Sequence, residues 1–196
     1  WALNRLTGLP YSLWVSGPDI PGFEQRYQYV YPVLTPALRA IWRAARPVIA
    51  KCADEITMIH KVDRHVRPVY IPNGVDLGHF RPGPPVPDDG PLCVVCVGRL
   101  IERKGQHHLI EAISRLKERG LDVRASLVGT GDSEAAYRKQ AQELRVSDRI
   151  EFTGYVAREE IPAAYAAAHV FALPSFNEGM SVALLEAMAS GLAPIV

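Results

Sequence analysis

The stretch Leu92-Cys93-Val94-Val95-Cys96-Val97-Gly98-Arg99-Leu100-Ile101-Glu102-Arg103-Lys104-Gly105 decides the fold of this chain. Its first six residues are an apolar run of the length that a strand takes. A glycine and basic residues follow, and the segment 104–119 then spaces its apolar residues along one helical face. Gly120 can cap the end of that helix. We therefore predict a buried strand, a loop and a helix in this order.

The same alternation continues toward the C-terminus. Further strands are predicted at 123–128, 150–153, 170–173 and from Pro194 onward, and further helices at 133–144 with Ser133 as N-cap, at 159–168 and at about 181–189. Strands alternating with helices over short connections are typical of an α/β protein with a parallel, doubly wound sheet. Ligands of such sheets lie beyond the carboxyl ends of the strands. The loops at 98–99, 129–131, 154–155 and 175–179 all follow strands, so we expect one sheet edge to collect them.

The segment 81–91 is the clearest break in the chain, because prolines and glycines crowd there between two patterned regions. Before it lie a strand-like stretch at 11–15 and a long segment at 36–50. We predict two domains, 1–80 and 92–196, joined by this linker. We also expect the 196 residues to be a fragment of a longer protein, with both domains incomplete.

The most informative chemical feature is Pro174-Ser175-Phe176-Asn177-Glu178-Gly179-Met180-Ser181-Val182-Ala183-Leu184-Leu185-Glu186-Ala187-Met188-Ala189-Ser190-Gly191. Glu178 and Glu186 stand eight positions apart, across a turn and a short apolar helix. Burying a carboxylate among apolar neighbours is costly unless the carboxylate has a partner. A polyhydroxylated ligand over the helix N-terminus would be such a partner. The alternative is an amphipathic core helix with two incidental glutamates.

This run resembles the Glu-x7-Glu motif of the retaining group 1 glycosyltransferases, which have the GT-B fold. Three other stretches resemble elements of that family in the same order: Pro-Asn-Gly-Val-Asp at 72–76, Gly-Arg-Leu-x-x-x-Lys-Gly at 98–105 and the strand end at 152–156. The resemblance implies two Rossmann-like domains. Residues 1–80 would be the C-terminal part of the acceptor-side domain, and residues 92–196 most of the domain that binds the nucleotide-sugar donor.

The resemblance also implies roles for single residues. Glu178 would meet the donor sugar, while Arg99 and Lys104 would neutralise the leaving diphosphate, and these three are the expected catalytic residues. Glu186 would hold the ribose hydroxyls. The other expected donor-binding residues are Gly98, Tyr155, Val156, Gly179, Met180 and Ser181. The alternatives are a basic surface turn for the two cations and surface packing for Tyr155 and Val156.

The implied reaction moves a hexose-type sugar from a nucleotide-diphosphate sugar to an acceptor hydroxyl and keeps the anomeric configuration, as in the synthesis of polysaccharides, glycolipids or cell-envelope glycans. No cofactor and no metal are expected, since the sequence has no Asp-x-Asp and Arg99 and Lys104 can supply the cationic role. The expected partners are the nucleotide-sugar donor and a carbohydrate or lipid-linked acceptor. A net charge of +1 does not favour nucleic acid.

We expect a cytoplasmic protein, because no run of about 18 apolar residues is present to span a membrane. The segment 36–48 carries Trp42 beside three arginines, which is compatible with a helix at the inner face of the membrane. An ordinary helix with a solvated basic face is the interpretation that we favour.

Two features of the sequence, a loop without histidine and a pair of cysteines, leave alternatives open. Ser16 and Asp19 lie where many family members carry a functional histidine, so no role based on histidine is expected there. This missing histidine keeps a non-catalytic relative that binds nucleotide sugars as an alternative to a transferase. A sugar-nucleotide epimerase of the same fold is a second alternative. Cys93 and Cys96 point to opposite faces of one strand, which favours core residues over a redox or metal pair. We also expect the fragment alone to be inactive.

Overall fold

The computed structural model describes residues 1–87 and 89–196, apart from the side chain of Arg26. Asp88, which belongs to the predicted linker, lies outside the described residues. The chain forms two compact units, Trp1–Asn73 and Gly74–Val196. The division falls earlier than the predicted end of the first domain at residue 80.

Residues 74–82 group with the second unit because they pack on its core. Phe80 is 1% exposed, and its ring lies edge-on to that of Tyr165 with 6.1 Å between the centroids. Val75 packs against the same cluster of buried side chains. Pro82 lies so close to Gly191 that a Cβ on this glycine would come within 3.3 Å of the proline ring. This segment is therefore anchored to the second unit rather than to the first.

The first unit carries a three-stranded parallel sheet in the order β1-β2-β3. Its elements are α1 (Ala2–Thr7), β1 (Leu13–Trp14), α2 (Tyr31–Ala44), β2 (Val48–Ala50), α3 (Ala53–Val62) and β3 (Pro68–Tyr70), with short 3-10 helices at Gly17–Asp19 and Gln25–Tyr27. Trp42 is only 2% exposed and packs in the core of this unit. Its indole is thus not presented to a membrane, which agrees with the favoured interpretation of 36–48 as an ordinary helix.

The second unit carries a five-stranded parallel sheet in the order β6-β5-β4-β7-β8. Its elements are β4 (Leu92–Val97), α4 (Gln106–Glu118), β5 (Val123–Val128), α5 (Glu134–Glu143), β6 (Ile150–Gly154), α6 (Ile161–Ala166), β7 (Val170–Ala172), α7 (Val182–Ala189) and β8 (Ala193–Ile195), with 3-10 helices at Glu102–Lys104 and Ser147–Arg149. The predicted strands and helices of this region are all present, with ends that shift by one or two residues.

Two local expectations were wrong in detail. The helix predicted from residue 104 is interrupted, because Gly105 adopts a left-handed conformation (φ 68°) between a 3-10 turn and α4. Ser133 stands at the N-cap position of α5, but its side chain makes no capping hydrogen bond. Gly120, by contrast, ends α4 as predicted, with a φ of 77° and its N–H donating to Lys117 O.

Hydrophobic side chains fill both faces of the five-stranded sheet. Val94 and Cys96 point to the core beneath α4 and α5, whereas Val95 and Phe171 point to the core on the side of α6 and α7. Burial raises the pKa of the Cys96 thiol to about 12, so this thiol stays protonated and unreactive. Cys93 is a free, half-buried thiol. The positions of Cys93 and Cys96 agree with the prediction that both are core residues.

Candidate functional site

The predicted site residues follow strands that are neighbours in the sheet, because β6, β5, β4 and β7 lie side by side. Backbone hydrogen bonds join the loops after these strands. Gly98 N donates to Val128 O, and Gly129 N donates to Gly154 O, both at 2.9 Å. The carboxyl edge of the sheet therefore collects the loops, as the strand pattern predicts.

Two glycines let the loop after β5 pack against the loop after β4. A Cβ on Gly129 would lie 2.2 Å from Gly98 O, and a Cβ on Gly131 would lie 2.3 Å from Leu100 O. Leu100 N also donates to Thr130 O at 2.9 Å. This close approach of two backbones requires glycine at both positions, whether or not the loop also touches a ligand.

Lys104 and Glu178 form an ion pair at this edge, between Nζ and Oε1. Their side chains are 18% and 26% exposed, so the pair is shielded but open to a ligand. Lys104 ends the 3-10 turn after β4, and Glu178 lies in the loop after β7. The structure thus joins the cation expected to meet the diphosphate to the carboxylate expected to meet the sugar.

The loop after β7 is held against the start of α4 by backbone contacts. Phe176 N donates to Arg103 O at 3.0 Å. A Cβ on Gly105 would lie 1.9 Å from Pro174 O, so this position accepts only glycine. Gln106 is 1% exposed, and its Nε2 donates to Arg99 O at 2.9 Å. The Arg99 backbone is fixed in this way while its side chain stays exposed.

A cavity of about 340 Å³ opens beside the ion pair. The predicted residues that line it are Glu178, Gly179, Met180 and Ser181. Ser181 Oγ accepts a hydrogen bond from Leu184 N at 3.3 Å, so this hydroxyl is also the N-cap of α7. Ser175 Oγ is buried near this cavity without a hydrogen-bond partner among the described residues. Polar groups and an apolar wall together suit a sugar, which has hydroxyls and C–H faces.

Glu186 lies on α7 and is half buried beside Tyr165 of α6. The Tyr165 hydroxyl is 3.2 Å from Glu186 Oε2 and 3.1 Å from Ala183 O. Burial raises the pKa of Glu186 above its usual range, although the hydrogen bond from Tyr165 and the nearby Arg158 act in the opposite direction. An acidic side chain that is shielded and yet flanked by donors is suited to accept hydrogen bonds from hydroxyl groups.

The remaining predicted residues are more dispersed. Tyr155 is 80% exposed after β6, and Val156 packs partly against the core on the α6 side. Sequence reasoning missed Tyr165 and Gln106, since a buried tyrosine or glutamine resembles any other residue of an amphipathic helix. It also missed His79, whose Nε2 is 3.3 Å from Arg158 O, because the two are far apart in the sequence.

In the first unit, Ser16 and Asp19 form a polar cluster with residues that sequence reasoning did not single out. Ser16 N donates to Asp19 Oδ2 at 3.1 Å, and Lys51 Nζ donates to Ser16 Oγ at 2.5 Å. Glu55 is 1% exposed and accepts hydrogen bonds from the backbone N–H groups of Gly17 and Lys51. Lys51, which directly follows β2, therefore contacts the loop in which no histidine was expected.

Within residues 1–87 and 89–196, no three His, Cys, Asp or Glu side chains gather closely enough to hold a metal ion. None of the described helices combines the length and the apolar character that crossing a membrane requires.

The chain belongs to the group 1 glycosyltransferases: the family described as "Glycosyl transferases group 1" matches residues 82–196. Its fold is of the GT-B type. Sucrose-phosphate synthase from Thermosynechococcus elongatus superposes with a TM-score of 0.81 at 25% identity, over 99% of this chain and 51% of that protein.

Two curated relatives indicate the range of the family. The chain is 36% identical over 143 residues to the GDP-mannose-dependent alpha-(1-6)-phosphatidylinositol monomannoside mannosyltransferase of Mycobacterium tuberculosis. The alignment covers 65% of this chain and 37% of that enzyme. It is 27% identical, over an alignment of 214 residues, to the 2-deoxystreptamine glucosyltransferase of Streptomyces kanamyceticus. This alignment covers 97% of this chain and 55% of that enzyme. The chain therefore spans between about a third and about half of the length of these relatives.

Proposed function

We propose that this chain carries the donor site of a retaining glycosyltransferase, which moves a hexose-type sugar from a nucleotide-diphosphate sugar to an acceptor hydroxyl. The observation that carries this proposal is the Lys104–Glu178 ion pair beside a cavity at the carboxyl edge of a parallel sheet. In this proposal, the pair provides a cation for a diphosphate directly beside a carboxylate for sugar hydroxyls. Family membership supports the same assignment.

The names of two relatives suggest which donors and acceptors to test. One relative is a GDP-mannose-dependent phosphatidylinositol monomannoside mannosyltransferase, and another is a 2-deoxystreptamine glucosyltransferase. Both move a hexose, which supports a hexose donor here. GDP-mannose is the first donor to test, because the mannosyltransferase is the more similar of the two. Cytoplasmic location and a lipid-linked acceptor at the inner face of the membrane are part of the proposal.

In the proposed reaction, the bond between the sugar C1 and the diphosphate oxygen breaks while the acceptor oxygen forms the new bond to C1, and the proton of the acceptor hydroxyl passes to the departing diphosphate. Negative charge builds up on the leaving diphosphate. Arg99 and Lys104 stabilise that charge, so they lower the barrier more than they strengthen ground-state binding. Glu178 orients the sugar and holds Lys104, while Glu186 accepts hydrogen bonds from the ribose. No metal is required in this scheme, since the two cations act on the diphosphate.

Turnover by the full-length protein tests this division of roles. Arg99→Ala should lower kcat by roughly 100-fold, because one stabilising group of the transition state is lost. Arg119→Ala removes the same charge from an exposed position at the C-terminal end of α4 and should leave kcat unchanged. Labelled GDP-mannose and UDP-glucose, each with a lipid extract as acceptor pool, serve as substrates.

The products of that assay separate the alternatives. A labelled glycolipid or oligosaccharide supports a transferase. Release of nucleotide with an isomerised free sugar would identify an epimerase, and binding without any product would identify a non-catalytic relative. An Arg99→Ala enzyme with unchanged turnover would contradict the assignment of Arg99 to the diphosphate.

A further inference from the structure

A second recess of about 550 Å³ lies in the first unit, at the amino ends of β2 and β3. Its floor is apolar and includes Trp42, Val48 and Val66, which are all nearly fully buried. This is the opposite edge of the sheet from Ser16 and Lys51. The recess is therefore separate from the edge at which parallel sheets ordinarily bind ligands.

The wall of the recess is cationic. Arg43, Arg46 and Arg67 line it together with His65, and no carboxylate side chain is among the described residues that line it. The whole chain has a net charge of only +1, so this concentration of arginines is local. A group of like charges around a concave surface produces a positive potential that attracts anions.

The buried carboxylate of Asp63 accepts hydrogen bonds from two residues that line the recess. Asp63 is 4% exposed, and its Oδ2 accepts a hydrogen bond from Arg43 Nε at 2.6 Å. Its Oδ1 accepts from His65 N at 3.0 Å, so one carboxylate connects two sides of the recess. The Arg43 guanidinium holds the pKa of Asp63 below its usual range, which keeps the pair ionised.

The guanidinium groups keep donors for a ligand. Arg43 uses its Nε on Asp63, so both of its terminal nitrogens remain for other acceptors. Arg46 Nη1 donates to the carbonyl oxygens of Arg43 and Ala45 at 2.9 and 3.0 Å, which leaves its other terminal nitrogen. Groups that are oriented before binding lose less conformational entropy when the ligand arrives.

We propose that this recess is a binding site for a phosphate monoester. Such a group carries a charge of about −1.5 to −2 and three terminal oxygens, which match several forked guanidinium donors better than a carboxylate does. The apolar floor beneath the arginines accommodates the carbon skeleton that bears the phosphate. The site is assigned from the first unit alone and does not depend on the proposed transferase activity.

The phosphate can belong to a soluble metabolite or to a lipid headgroup, and two probes distinguish these sources. Binding of sn-glycerol 3-phosphate is measured by isothermal titration calorimetry. Co-sedimentation is measured with phosphatidylcholine vesicles that contain or lack phosphatidic acid. The test variant is R46Q/R67Q, and the charge-matched control is R119Q/R124Q, which removes two exposed arginines from the second unit.

Losing two charge-assisted contacts should weaken binding by tenfold or more in R46Q/R67Q, whereas the control should bind like the wild type. Saturable binding of glycerol 3-phosphate with this pattern identifies a soluble ligand. The same pattern with phosphatidic acid vesicles alone identifies a headgroup. No saturable binding of either probe, or equal weakening in both variants, overturns the proposal. R67Q is also measured alone as a variant that should fold normally, because the Arg67 side chain makes no hydrogen bond within the described residues. It should weaken binding as well.

Discussion

Tyr165 is the residue on which the position of Glu186 depends. Its hydroxyl lies 3.2 Å from Glu186 Oε2, and its ring is fully buried between Phe80 and Phe171. A rigid aromatic side chain that donates to a carboxylate restricts the directions in which that carboxylate can accept other hydrogen bonds. We regard Tyr165 as a positioning residue for the proposed nucleotide site.

Tyr165→Phe should therefore weaken nucleoside diphosphate binding about threefold to tenfold, the equivalent of one lost hydrogen bond. Tyr137→Phe is the matched control, because Tyr137 is also buried but lies in the core on the α5 side. Titration calorimetry measures both. Binding of nucleoside diphosphate that is as tight in Tyr165→Phe as in the wild type, or equal weakening in Tyr137→Phe, would refute the positioning role.

The Lys104–Glu178 ion pair contributes more to the arrangement of the site than to stability. Both side chains are partly exposed, and ion pairs of this kind stabilise a fold by about 0–1 kcal/mol. The pair instead keeps the Lys104 ammonium group and the Glu178 carboxylate next to each other while no ligand is bound. A donor that contacts both groups would replace this mutual interaction with two of its own.

Among the elements, α7 depends on a cap that α5 lacks. Ser181 Oγ accepts from Leu184 N, whereas Ser133 stands at the N-cap of α5 without a side-chain hydrogen bond. Ser181→Ala should therefore lower the free energy of unfolding by about 1 kcal/mol, and Ser133→Ala should lower it by much less. Urea unfolding without nucleotide measures both variants. Equal losses in the two would contradict the capping role of Ser181.

The loop after β7 and the start of α4 depend on Gly105. Gly105 and Gly120 have similar positive φ angles, 68° and 77°, but only Gly105 faces a backbone atom, Pro174 O. Gly120→Ala should lower the free energy of unfolding by about 1 kcal/mol through backbone strain alone.

Gly105→Ala should lower the free energy of unfolding by roughly 3 kcal/mol, because the new methyl group must also displace Pro174. The same urea titration compares the two variants. A Gly105→Ala protein as stable as Gly120→Ala would mean that the loop moves aside at little cost, and that it does not hold Glu178 in place.

For the whole molecule, the order of strands and helices from residue 92 onward could be predicted because the apolar runs are short and regularly spaced. The common edge of the loops followed from that order alone. The division between the two units could not be predicted, since proline and glycine suggest a linker at 81–91, whereas the burial of Phe80 decides the boundary. Burial of one aromatic ring is a tertiary fact that no local pattern contains.

The candidate site was predictable to a similar extent. The motifs singled out Lys104 and Glu178, but not that the two side chains pair directly. Partners such as Tyr165 come from a different helix, and the recess lined by Arg43, Arg46 and Arg67 comes from two separate segments of the first unit. Contacts between residues distant in sequence depend on packing, so the structure was needed to find them.

Thermal unfolding of this chain with UDP, GDP or ADP tests the central claim most directly. A ligand that binds only the folded state raises the midpoint of unfolding. We predict a rise with one of these nucleotides that disappears in Glu186→Ala and persists in Glu118→Ala, an exposed glutamate near the C-terminal end of α4. A midpoint that no nucleotide raises, or a rise that Glu186→Ala retains, would contradict a nucleotide-sugar site at this sheet edge.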